Sequence, residues 1–237
     1  MTSNEENNQV DIETETQAEA GPRLAFAALD LPDEVRRGIE DAGFVYCTPI
    51  QAETLPVGIT GRDIAGQAQT GTGKTAAFLV AAFTLLLRRP RRHQGTESCP
   101  RALIIAPTRE LAMQIFDEGK LLGKHTGLTM HAVYGGVDYI KQLDRLAEGV
   151  DILIGTPGRL IDYYKQRVFT LKDTELLIVD EADRMFDMGF IKDVRRISQS
   201  VSKNRQTLMF SATMPPDVAR LAADVLNNPE RIEIAPQ

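Results

Sequence analysis

The chain has 237 residues, 43% of them apolar, with 33 acidic and 27 basic side chains. That size suits one globular domain with a sizeable core, and the longest apolar run, Ala76 to Leu87 with Thr84 inside it, is too short for a bilayer, which needs about 20 residues. Cys47 and Cys99 are the only cysteines and make no disulfide framework. No basic-then-apolar segment opens the chain, so a reducing cytoplasm is the expected compartment.

Residues 1–22 contain Glu5, Glu6, Asp11, Glu13, Glu15 and Glu19 and no Lys or Arg. They lack the apolar content to order themselves and read as a disordered acidic tail. Setting aside these six leaves 27 acidic against 27 basic residues, so the remainder, 23–237, is neutral. A broad basic footprint for nucleic acid is absent, and any such site must be local and built partly from backbone amides.

After Pro22, short β-rich runs alternate with helical stretches. The runs are Arg62–Gly66, Ala102–Ala106, Leu128–Tyr134, Asp151–Gly155, Leu176–Asp180 and Thr207–Ser211. Helices are expected over 74–88, 109–125, 138–148, 158–166, 182–199 and 215–226. This alternation predicts an α/β fold, a mostly parallel sheet with helices on both faces. Continuous apolar runs such as Leu103-Ile104-Ile105-Ala106 suit central strands. The basic segment Arg88–His93 reads first as a solvated loop, with phosphate contact as the lesser alternative. His93, His125 and His131 have no metal-ligand spacing.

The most specific segment is Ala68-Gln69-Thr70-Gly71-Thr72-Gly73-Lys74-Thr75. A triphosphate needs many donors at short range. Gly71 and Gly73 let the backbone turn and aim N–H groups inward. Lys74 can reach the β- and γ-phosphates, Thr75 can ligate Mg²⁺, and the helix opening at Lys74 adds its positive dipole end. Ala68 stands where the usual pattern has Gly. A second segment, Asp180-Glu181-Ala182-Asp183, follows the apolar run Leu176–Val179. Carboxylates at the end of a doubly wound strand lie where such sheets bind ligands. Asp180 can hold Mg²⁺ opposite Thr75, and Glu181 can orient and polarise a water.

The spelling Asp180-Glu181-Ala182-Asp183 resembles the DEAD-box RNA helicases, enzymes with two RecA-like domains. Other first-domain motifs of that family follow in order. Gly43-Phe44 and Cys47-Thr48-Pro49-Ile50-Gln51 look like the adenine-reading Q motif, with Phe26 at the family's isolated aromatic. Pro107-Thr108-Arg109-Glu110-Leu111-Ala112, Gly135-Gly136, Thr156-Pro157-Gly158-Arg159 and Ser211-Ala212-Thr213 look like motif Ia, the glycine pair, motif Ib and motif III. Residues 149–155 and 183–187 look most like the bacterial RhlB-type members. The resemblance covers 23–237 and implies a RecA-like P-loop domain that uses ATP and Mg²⁺.

The resemblance also implies roles. Lys74, Asp180 and Glu181 would be catalytic. Phe26, Thr48, Gln51 and Ala68, Gln69, Thr70, Gly71, Thr72, Gly73, Lys74 and Thr75 would bind nucleotide, Phe26 by stacking and Gln51 by reading the adenine edge. Thr75 and Asp180 would hold the metal. Pro107, Thr108, Arg109, Gly135, Gly136, Thr156, Pro157, Gly158 and Arg159 would face the RNA backbone, where glycines and helix N-termini offer N–H groups without reading sequence. Asp183, Ser211 and Thr213 would couple nucleotide to domain closure. The family's second RecA-like domain, with its arginine finger, has no counterpart here, so the chain is expected to bind nucleotide weakly and not to unwind RNA alone. Two alternatives stay open: a nucleotide-regulated docking module, and a DNA-directed translocase of the same superfamily.

Overall fold

A computed structural model describes residues 23–95, 97–136 and 138–235; the expected acidic tail lies outside them. The sheet has seven strands in the order β3-β4-β2-β5-β6-β1-β7. They are β1 Ile64–Gln67, β2 Ala102–Ile105, β3 Met130–Val133, β4 Ile152–Gly155, β5 Leu176–Val179, β6 Gln206–Ser211 and β7 Glu230–Glu233. All six pairings are parallel. The fold is therefore the RecA-like α/β architecture expected, with the sheet wholly parallel.

Side chains alternate across the pleat and so fill two cores. Ile104, Ile154, Ile178, Leu208 and Phe210 face one side. There they meet α1 (Asp33–Asp41), α2 (Pro49–Gly58), α3 (Lys74–Arg88) and α4 (Arg109–Leu122). Leu103, Ile105, Leu153, Leu177, Val179 and Met209 face the other. They meet α5 (Tyr139–Ala147), α6 (Pro157–Lys165), α7 (Ala182–Asp187), α8 (Ile191–Ser200) and α9 (Pro216–Val225). Strands β2, β4, β5 and β6 are buried throughout, while the edge strands β3 and β7 are partly exposed. That is why the central strands read as unbroken apolar runs. Among the described residues, no helix is long and apolar enough to cross a membrane.

One expectation needs correction, and three elements lie outside the expected ones. The stretch 182–199 is two helices, because Gly189 adopts φ +78 and turns the chain between α7 and α8. The edge strand β7, paired with β1, follows from no period-two apolar pattern: Glu230, Arg231 and Glu233 surround a single buried Ile232. Helices α1 and α2 also went unforeseen, α2 because Pro49 and Pro56 sit within it. Pro49 is at its first turn, where a missing N–H costs nothing.

The parallel ends are pinned by buried polar groups. Arg101 pairs with Glu175 at 2.7 Å and caps the carbonyls of Leu86 and Arg89. Asp63 accepts from the N–H groups of Thr207 and Asn227. Gly38 of α1 presses on α4 so closely that an added Cβ would lie 1.9 Å from the Leu122 carbonyl oxygen. Gly38→Ala should therefore destabilise the fold by about 1–3 kcal/mol or more by overpacking. Gly158→Ala, whose methyl meets nothing within 4 Å, should stay within about 0.5 kcal/mol of the parent. Denaturant unfolding of both variants checks this.

Candidate functional site

The candidate residues gather at the carboxyl edge of the sheet, the edge where parallel α/β sheets bind ligands. Beyond β1, residues 68–73 form a loop that enters α3 at Gly73. Gly71 and Gly73 have φ of +83 and +93, a left-handed conformation that side chains resist. At Gly73 a Cβ would also meet the Gln51 amide at 2.5 Å. Lys74 is buried and its Nζ donates to the Ala68 carbonyl at 2.9 Å.

Beyond β5, Asp180 is 2% exposed and accepts from the Glu181 N–H at 2.9 Å. Burial pushes its carboxyl up to about 6, against the opposing pull of the Lys74 ammonium. Among the described residues no cation lies within ion-pair distance of it. Glu181 takes φ +50 and ψ +52, a strained arrangement for a side-chain-bearing residue. Its two oxygens accept from the Thr70 hydroxyl and from Arg184 Nη1, each at 3.2 Å. One carboxylate thus links the loop after β1 to the turn after β5.

A cavity of about 220 Å³ lies between these elements. Its lining includes Thr70, Gly71, Gly73, Lys74 and Thr75 from the loop, Asp180 and Glu181 from the strand end, and Gln114 and Glu118 from α4. Sequence reading passed over Gln114 and Glu118; their spacing of four on a helix was the available signal. The donor set fits a Mg²⁺-bound phosphate chain: a glycine cradle, a buried ammonium, a hydroxyl at Thr75 and a desolvated carboxylate with no cation beside it. A larger cavity, about 470 Å³ beside Tyr164 and Phe169, contains none of the expected residues.

The Q-motif residues pack onto the same loop. Thr48 Oγ1 donates to the Thr72 carbonyl at 2.8 Å. The Gln51 side chain accepts from the Thr48 N–H at 2.9 Å and donates to the Gly73 carbonyl at 3.1 Å. One N–H and one lone pair of the amide are engaged inside the chain, which leaves its second N–H and second lone pair. A second cavity of about 310 Å³ adjoins, lined by Thr48, Pro49, Ile50, Gln69 to Thr72 and Ile234. Phe26 does not line it. Phe26 is 4% exposed, its ring stacked on Phe44 at 6.2 Å, in a separate apolar cleft with Leu31 and Ile39.

Asp183 binds the end of β6. Its Oδ2 accepts from the Thr213 N–H at 2.8 Å and hydroxyl at 3.0 Å, and its own N–H donates to Ser211 Oγ. Burial alone would raise this carboxyl, but the hydrogen bonds from Thr213, Ser211 and Arg184 outweigh burial and hold it below the ordinary range.

The remaining candidates form a row across β2, β4 and β3. Thr108 caps α4 by accepting from the Leu111 N–H at 3.2 Å, and Thr156 and Pro157 open α6. The Arg109 guanidinium lies 5.1 Å over the Tyr134 ring and beside Gly136, which has φ +80 and follows Gly135. Arg159, after Gly158, lies over Tyr139 and Tyr163 at 5.1 and 5.3 Å. These tyrosines gave no period or motif in the sequence. Both arginines are steadied by aromatic faces rather than by carboxylates.

Comparisons with known proteins bear on the family and the fold. A family model described as DEAD/DEAH box helicase matches residues 48–221. The ATP-dependent RNA helicase RhlB of Vibrio cholerae is 54% identical over 214 residues, covering 90% of this chain and 49% of that protein. The same-named protein of Pseudoalteromonas atlantica is 51% identical over 214 residues, covering 90% and 50%. A DEAD box protein from Methanococcus jannaschii has a TM-score of 0.80 at 34% identity, over 89% of this chain and 56% of that one. A hypothetical ATP-dependent RNA helicase from Sulfolobus tokodaii gives 0.77 at 34%, over 86% and 57%. The chain spans about half the length of the curated relatives it matches.

The buried Asp180 carboxylate generates a stability prediction. Its folded-state pKa near 6 lies above the ordinary 3.8, so its charge is a penalty fully present above about pH 6 and relieved as pH falls toward 4. Asp180→Asn keeps the acceptor for Glu181 and removes the charge. It should stabilise the nucleotide-free chain at pH 7.5 by about 1–3 kcal/mol, each pKa unit being worth about 1.4 kcal/mol. The gain should shrink by pH 5. Thermal melts of both proteins across that range provide the check.

Proposed function

Since this chain belongs to the DEAD/DEAH box helicase family, we propose that it is the nucleotide-binding RecA-like domain of an ATP-driven RNA helicase. The proposed unit spans 23–237 and works in the cytoplasm with RNA and a second RecA-like domain. The observation that carries the reading is a single edge that joins the phosphate-type loop, the Asp180-Glu181 pair and the Asp183–Thr213 link. An intact Lys74, Thr75, Asp180 and Glu181 favour turnover over a docking role.

In this reading the backbone N–H groups of residues 71–75 receive the phosphates, and Lys74 gives up the Ala68 carbonyl to reach the terminal ones. Thr75 and Asp180 would hold Mg²⁺, which neutralises charge on the phosphate chain. Glu181 leaves Thr70 or Arg184 to orient the attacking water. Asp183 passes the state of the site to Ser211 and Thr213 and so to the facing domain. Gln51 offers its second N–H and second lone pair to the adenine edge. Phe26 stacks on the base only if its pairing with Phe44 opens.

RNA lies along the row from Thr108 to Arg159, held by helix N-termini, Gly135-Gly136 and the two braced arginines. Contacts of this type read the backbone and 2′-hydroxyls rather than sequence. Closure of the second domain bends one strand and opens a short duplex, and hydrolysis releases it. An arginine finger is worth about 10³–10⁵ in rate, so the chain alone should turn over ATP very slowly and leave duplexes intact.

The test is RNA-stimulated ATP turnover in the two-domain protein. Lys74→Ala should abolish nucleotide binding and turnover together while the far-ultraviolet spectrum is unchanged. Glu181→Gln should bind ATP normally and lose at least about 100-fold in kcat, the scale of a missing general base. Turnover that survives Glu181→Gln removes Glu181 from the water-orienting role. Stimulation by DNA equal to that by RNA favours the translocase instead.

A further inference from the structure

Glu118 is the third carboxylate of the phosphate-side cavity, and neither the loop after β1 nor the turn after β5 accounts for it. Leu111, Gln114 and Glu118 fall at i, i+3 and i+7 of α4 and so share one helical stripe. The neighbouring stripe, Ala112, Ile115, Gly119 and Leu122, is buried in the core, as is Leu111 itself. The core stripe fixes the roll of α4, and that roll turns Gln114 and Glu118 into the cavity with Lys74, Thr75, Asp180 and Glu181. Gly119 takes part in this, because a Cβ there would strike Met130 at 2.3 Å.

Glu118 is half-buried and, among the described residues, makes no hydrogen bond or ion pair. Glu118 faces two further carboxylates, Asp180 and Glu181, across a space of about 220 Å³. Partial burial raises its carboxyl above the ordinary glutamate value.

We propose that Glu118 is a positioning residue that, with Gln114, forms the outer wall of the nucleotide cavity and accepts hydrogen bonds from the water shell of the nucleotide's divalent cation. The proposal rests on the nucleotide-site reading above. Magnesium dehydrates reluctantly and keeps several waters, bound through only one or two carboxylates plus phosphates. Those waters would need acceptors among the side chains that line the cavity. Groups that orient a metal's ligands typically matter about 10–100-fold in metal affinity. The charge also sets a sign: a third carboxylate repels a bare nucleotide and favours one that carries its cation. Glu118 therefore makes binding more Mg²⁺-dependent than the loop and Asp180 alone would.

The experiment is calorimetric titration of ADP into the chain, with excess Mg²⁺ and with chelator, for the parent and Glu118→Gln. The readout is the ratio of the two affinities. The variant should bind Mg²⁺–ADP about tenfold more weakly and metal-free ADP equally or more tightly, so that the ratio falls by about tenfold or more. A purely structural role would move both affinities together and leave the ratio unchanged, and an unchanged ratio overturns the proposal while leaving the nucleotide site standing. A parent chain that binds no ADP under either condition overturns both. Mn²⁺ titration followed by electron paramagnetic resonance at saturating ADP gives a second reading: equal Mn²⁺ affinity in parent and variant contradicts the role, and weaker affinity in the variant supports it.

Discussion

A charge withdrawn from water at the end of β5 organises this molecule. Asp180 is almost fully buried, has no cation within ion-pair distance among the described residues, and has its carboxyl lifted by burial to about 6. Such an arrangement costs stability unless something of opposite charge offsets it. Among the described residues the buried ammonium nearby is that of Lys74, and its Nζ donates to the Ala68 carbonyl. Two opposite charges therefore sit on neighbouring loops without closing into a pair. In the proposed function a phosphate chain with its cation would satisfy both at once, the anion at Lys74 and the loop amides and the cation at Asp180. Such a ligand would remove the local destabilisation that the buried charge brings.

The rest of the edge is wired to that point by bonds that can trade partners. Glu181 shares its oxygens between Thr70 and Arg184. Gln51 divides its amide between Thr48 and Gly73. Asp183 binds both the N–H and the hydroxyl of Thr213. Glu181 and Asp183 thereby join loops that follow different strands, and Gln51 joins the start of α2 to the loop after β1. The sheet beneath is rigid by contrast, with β2, β4, β5 and β6 buried along their length. A stiff parallel platform carrying exchangeable loop-to-loop bonds suits a site whose state must be relayed.

Much of this was legible in the residues. Buried central strands announce themselves as runs such as Leu103-Ile104-Ile105, because helices cover both faces and no polar alternation is needed. Gly71 and Gly73 could be read because the turn demands a left-handed backbone. Strand β7 was hidden since an edge strand with one buried residue carries no pattern. The break in 182–199 was hidden since Gly189 alone marks it. Within the site, Lys74, Asp180 and Glu181 fall together as their motifs imply. Phe26 does not join them, because Phe44 captures its ring, a tertiary contact that spacing cannot reveal. The bracing of Arg109 and Arg159 by tyrosines, and the turning of Glu118 into the cavity, depend on how helices roll against the sheet.

The most direct test of the account is a crystal structure of this chain grown with ADP and Mg²⁺. The account predicts diphosphate density against the amides of Gly71 to Thr75. It also predicts Lys74 Nζ moved from the Ala68 carbonyl to phosphate oxygen, and a cation between Thr75 and Asp180. Nucleotide bound elsewhere, or bound with Lys74 still on Ala68 and no cation beside Asp180, would contradict it.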